Sequence, residues 1–190
     1  SSCDLLVARN TGPLERILVG IDGSDASFNA LAQAIEIGTE FQSELLLMAV
    51  HNPDLHRSVF SLLSGVLSLE AGSVFRFQEQ EELHNRVIDQ SLADFYRCHL
   101  EKGATQAEDR GLQVRTRVDT GVPWHAICRG AEENRCQLIV VGRYGMHRGA
   151  MDTIGSNAFR VADRARSNVL VVGGVAGSQP PETSPVLTVS

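Results

Sequence analysis

Four short apolar runs, spaced by helix-length stretches, constrain this chain's fold more than any other feature. They lie within ERILVGID at 15–22, ELLLMAV at 44–50, QLIVVG at 137–142 and NVLVVGG at 168–174. A parallel strand buried on both faces needs such an unbroken run, because neither face meets water. A fifth segment, LQVRTRV at 112–118, alternates apolar and polar, as a strand nearer a sheet edge does. Between the runs the period changes. Phe28, Leu31 and Ile35 recur at helical spacing after GSDAS, where Ser24 or Asp25 is a candidate helix cap. Residues 79–109 form a long polar helix pattern with Leu83, Val87, Leu92 and Phe95 as its inner face. Pro123 opens another helix, with Trp124, Ile127 and Ala131 turned inward, and a last one runs from about 155–156 to 166. Strands alternating with helices predict an α/β fold: an open five-stranded parallel sheet with helices on both faces.

The remaining segments set the domain organisation. Residues 51–78 are apolar but broken by Gly65 and Gly72, and are long for a loop, which predicts an insertion with some helix of its own. Phe60, Leu63 and Leu67 would share one of its faces, as packing rather than membrane contact. The tail at 175–190, rich in Pro, Ser and Thr, is expected to be flexible. SSCDLLVA at 1–8 echoes SNVLVVG at 167–173. Residues 1–13 are therefore either an extra N-terminal strand or the end of a preceding similar unit.

Composition narrows the function classes. At 190 residues and 43% apolar content the chain can bury a real core. A formal charge of -6 argues against a broad nucleic-acid face. Lys102 is the only lysine among 17 basic residues, so phosphate chemistry must rest on Arg, His or backbone amides. No stretch approaches the roughly 18 apolar residues of a membrane span, and no secretory signal pattern opens the sequence. Cys3, Cys98, Cys128 and Cys136 form no C-x-x-C pair and read as reduced, mostly buried thiols of a cytoplasmic protein. His51, His56 and Asp54 match no standard ligand spacing, so no metal site is expected.

Ligands of open parallel sheets bind at the carboxyl ends of strands where strand order reverses. That directs attention to Asp22-Gly23-Ser24 after the first strand and VVGRYGMHRGAMDTIGSNAF, 140–159, after the fourth. Gly142 and Gly145 would let the backbone turn tightly and approach a ligand. Gly155-Ser156 would present bare N–H groups at a helix start, where unsatisfied donors and partial positive charge favour phosphate. Arg143, His147 and Arg148 are candidate phosphate contacts. No P-loop and no G-x-G-x-x-G after the first strand is present.

G-x-x-G, nine residues, then G-[ST] resembles the signature of the nucleotide-binding branch of the universal stress protein family. Here it is Gly142, Gly145, Gly155 and Ser156. RILVGIDGSDAS and DTGVPWHAI…CQLIVVG are similar to that family as well, so the resemblance covers roughly 14–174. It implies a Rossmann-like fold of the adenine-nucleotide alpha hydrolase type, and an ATP site, with Mg2+ accompanying the nucleotide. By that resemblance Asp22 meets the ribose or adenine region, with Gly20 and Ile21 behind the base. Val50 offers its backbone to adenine, Val141 and Gly142 line ribose and phosphates, and Gly145, Gly155, Ser156 and Asn157 cradle the triphosphate. It also implies a homodimer paired through 168–174, or a module fused to a larger protein.

Nothing in the sequence pairs a nucleophile or general base with an orienting partner, so binding is expected rather than turnover. His147 is the nearest candidate for slow hydrolysis. Two other readings remain: a scaffold of the same fold that binds AMP, cyclic AMP or no nucleotide, and an adenylating ATP pyrophosphatase. The latter group's S-G-G-x-D-[ST] loop is poorly matched by DGSDAS.

Overall fold

A computed structural model describes residues 3–52, 77–145 and 154–173, with backbone alone for 77–90 and 92. The elements are β1 (Leu5–Val7), β2 (Arg16–Gly20), α1 (Asp25–Phe41), β3 (Glu44–His51), α2 (Phe77–Glu108), β4 (Val114–Thr120), α3 (Pro123–Glu133), β5 (Leu138–Gly142), α4 (Ser156–Arg164) and β6 (Asn168–Val172). Nearly all of the predicted insertion, with Asp54, His56, Phe60, Leu63 and Leu67, lies outside the described residues, as do His147, Arg148 and the tail.

The sheet order is β1-β6-β5-β2-β3-β4. The five expected strands, β2 to β6, are all present and pair in parallel. A sixth is added: β1 runs antiparallel to β6, Leu6 opposite Leu170. The strand echo at 1–8 is therefore a paired strand. It covers the β6 edge at which the resemblance places a dimer partner, and β6 can pair only one strand on that side.

Burial follows strand parity. Ile17 and Val19 point to one face and Leu18 to the other, all three with no exposed surface. The first face packs Leu31 and Ala34 of α1 with Leu100 and Ala107 of α2. The second packs Ile127 and Ala131 of α3 with Ala158 and Val161 of α4. β4 is the far edge, which explains its alternating sequence. Ser24 is the cap of α1, its side-chain oxygen accepting from Ser27 N. Phe95 departs from the expected inner face of α2. It is 42% exposed, and Tyr96, Leu100, Ala104 and Ala107 take the inner positions. A helix so polar has too few apolar residues to set its own phase. The cysteines also differ from expectation. Cys136 is buried and Cys128 half-buried, while Cys3 and Cys98 are exposed.

Candidate functional site

β2 and β5 are neighbours, and the chain leaves β2 for β3 on one side and β5 for β6 on the other. The crevice opens where those two loops diverge. On the β2 side, Ile21 N donates to Met48 O at 2.9 Å, which ties the start of the loop to β3. Gly23 sits at φ +92°, a left-handed conformation that glycine adopts without strain. The turn lets Ser24 N and Ser24 Oγ both donate to Asp22 Oδ1, at 3.0 and 2.5 Å. Asp22 is thereby oriented by the residue that caps α1.

The β5 loop meets it. A Cβ on Gly145 would stand 2.8 Å from Asp22 Oδ2, so the two loops touch where Gly145 has no side chain. Gly155 N donates to Arg143 O at 2.8 Å, and a Cβ there would sit 2.9 Å from that oxygen. Gly155 is the N-cap of α4 without a capping side chain, so the first N–H groups of the helix gain no side-chain acceptor from it. Gly142 serves packing instead: its Cβ would lie 2.7 Å from the Ala26 carbonyl of α1. None of Gly142, Gly145 and Gly155 adopts a positive φ. Any turn at Gly142 and Gly145 is therefore made without glycine's left-handed conformations. Close approach of other backbone and side-chain atoms is what requires these glycines.

Between the loops lies a cavity of about 460 Å³. Gly20, Ile21, Asp22, Val50, Val141, Gly142, Arg143, Gly145, Gly155, Ser156 and Asn157 all line it, drawn from three strand ends with the loops after them and a helix start. His147 and Arg148 are outside the described residues. Several further lining residues have no counterpart among the expected contacts, His51, Asn52 and Tyr96 among them. His51 is 7% exposed, its ring stacks on Tyr96 at 6.1 Å, and its Nδ1 is buried with no hydrogen-bond partner among the described residues. Burial, and then the Asp22 charge, push the Tyr96 hydroxyl above its ordinary pKa, so it remains protonated. The only sequence signal for His51 is a polar residue ending an apolar strand run. Tyr96 gives none, because α2 is too polar to mark its inward face.

A doubly wound α/β domain with a polar-tipped cleft at its switch point is the class these features define. Residues 13–173 match the Universal stress protein family. Universal stress protein YxiE of Bacillus subtilis is 30% identical over 157 residues, covering 83% of this chain and 97% of the relative. The chain belongs to the universal stress protein family. Among solved structures, that of MJ0577 from Methanocaldococcus jannaschii aligns with a TM-score of 0.68 at 20% identity, covering 85% of this chain and 96% of its own. A universal stress protein in complex with cAMP aligns at 0.57 and 23% identity, covering 85% and 98%.

Proposed function

We propose that this domain binds ATP in the cleft between the β2 and β5 loops and acts as a regulatory, stress-responsive module. The observation that carries the reading is the contact of Asp22 with Gly145 beside the uncapped start of α4, which sets a carboxylate next to a row of backbone donors. Phosphate oxygens suit those donors, and Arg143 lines the same cleft. Asp22 suits ribose hydroxyls. Gly20, Ile21 and Val50 form the apolar end where a base fits, and the unpartnered His51 Nδ1 supports a polar ligand there. The cavity volume falls within the roughly 300–1,000 Å³ typical of small-molecule sites. Mg2+ would be carried on the phosphates. Free thiols at Cys3 and Cys98 support a reducing, cytoplasmic setting.

A second reading, cyclic AMP in the same cleft, has its own support in the neighbour solved with cAMP. The two are separated by denaturing freshly purified protein, identifying any released nucleotide by mass spectrometry, and titrating Mg-ATP, AMP and cyclic AMP by calorimetry. ATP at near one per chain, lost in Gly155→Val, supports the proposal. Preference for cyclic AMP moves it to the second reading. No heat and no thermal shift with any of the three overturns both and leaves a docking scaffold.

A further inference from the structure

One side of α2 meets the β2 loop beside the cleft. Tyr96, His99 and Lys102 recur every third residue there, so they share a helix face. A Cβ on Gly23 would stand 3.1 Å from the His99 ring, so the helix touches the loop at the residue after Asp22. That ring is fixed in turn. Its Nδ1 lies 2.8 Å from the Phe95 carbonyl, which can only accept, so Nδ1 donates. Phe95 packs on it with ring centroids 4.4 Å apart, and Phe28 of α1 adjoins it at 6.1 Å. The Lys102 ammonium lies 4.9 Å from the Phe28 centroid. Tyr96 stands inside this seam. Its ring is edge-on to Phe95 at 5.5 Å and stacks on His51 at 6.1 Å, with 20° between the planes. Held on both sides, Tyr96 lines the cleft together with Asp22 and His51. Burial, and then the Asp22 charge, keep its hydroxyl protonated. The buried His51 Nδ1, with no partner among the described residues, marks the same wall as built for a polar group.

We propose that Tyr96 is a specificity residue of this cleft, which together with Asp22 selects nucleotides that carry both ribose hydroxyls over their 2′-deoxy and 3′-deoxy forms. The inference rests on nucleotide binding between the β2 and β5 loops and names what that site selects. Asp22 stands between the apolar end at Gly20, Ile21 and Val50 and the donors at the start of α4, which is where a sugar lies. Its carboxylate only accepts, whereas a phenol O–H also donates. Each hydroxyl of a vicinal diol has one proton to give and lone pairs to receive. One hydroxyl gives its proton to Asp22, and the other is met by Tyr96. Both readers are held before the ligand arrives, Asp22 by Ser24 and Tyr96 by His51 and Phe95, so little ordering is left for binding. A sugar that lacks a hydroxyl leaves one reader unpaired in a partly buried site, which is how a site built to bond a hydroxyl rejects the analogue without it.

The test titrates the full chain, as wild type and Tyr96→Phe, with Mg-ATP, 2′-deoxy-ATP and 3′-deoxy-ATP by calorimetry. The substitution keeps the ring in its stack and removes only the hydroxyl, and unchanged amide exchange in β2 and β3 checks the fold. Wild type is expected to bind ATP about tenfold more tightly than either deoxy form, the equivalent of one hydrogen bond. Tyr96→Phe is expected to bind ATP about tenfold more weakly than wild type does. One deoxy form, the one lacking the hydroxyl that Tyr96 meets, should bind variant and wild type equally, while the other still loses affinity in the variant. A Tyr96 that served packing alone would weaken all three nucleotides alike, and that result overturns the proposal. So does an ATP affinity that Tyr96→Phe leaves unchanged, or a wild type that binds either deoxy form as tightly as ATP. A wild type that binds no ATP is a separate outcome: it overturns the nucleotide reading of the cleft, and this selectivity with it.

Discussion

At the residue scale the glycines separate by what stands against them. Gly142→Ala drives a methyl into the Ala26 backbone, which cannot retreat without moving α1. Chemical denaturation should report a loss of roughly 1–3 kcal/mol, the usual range for overpacking. Among the described residues, Gly145→Ala meets only the Asp22 carboxylate, a side chain that can rotate away. Its stability should stay near wild type, while ATP affinity measured by calorimetry falls as Asp22 is displaced. Equal stability losses in the two variants would contradict this division. His51→Phe keeps a ring against Tyr96 but removes the unpartnered Nδ1. An unmet buried polar group costs about 1–3 kcal/mol, so the unliganded variant should melt higher than wild type. If that nitrogen bonds the nucleotide, ATP affinity should drop about tenfold, the equivalent of one hydrogen bond. A change of the same sign in both measurements would remove His51 from the site.

At the scale of elements, β4 and α3 are joined by charge. Arg117 donates to both Asp119 oxygens, at 2.7 and 2.8 Å, and Arg129 reaches the same carboxylate at 3.1 Å. Burial alone would raise the Asp119 pKa, but the hydrogen bonds from Arg117 and Arg129 outweigh it and hold the carboxyl below its ordinary range. A carboxylate lowered on folding stabilises above its unfolded pKa, near 4, and loses that contribution as pH falls through the folded value. Asp119→Asn should therefore cost about 1–2 kcal/mol at pH 7, and the two unfolding curves should converge in strong acid. The same elements show what can be read from residue order. β2, β3, β5 and β6 are legible because double burial demands unbroken apolar runs, and β4 because an edge alternates. β1 shows only as an echo of 167–173 and one of two readings of 1–13, since three residues carry no period and its antiparallel partner lies more than 160 residues away. In the cleft, the glycines and Asp22 follow from motif and spacing. Tyr96 does not, because the face α2 presents is decided by the sheet it packs on.

At the scale of the whole molecule, burial sorts the thiols. Burial pushes Cys136 up to about 11, and burial followed by the Glu132 charge raises Cys128. Cys3 and Cys98 are exposed. A disulfide reagent at pH 8 should modify those two quickly in the native protein, Cys128 slowly and Cys136 only on unfolding, because the thiolate is the reacting species. Fast reaction of all four without denaturant would mean the α3–β5 layer is loosely packed. The bond from Gly155 N to Arg143 O has a longer reach. It joins the two ends of the stretch that separates the glycine pairs, much as a buckle joins a strap whatever the strap's length. Closing a longer loop adds little, about 0.6 kcal/mol for each doubling. A change of chain length between Arg143 and Gly155 therefore costs this clasp little.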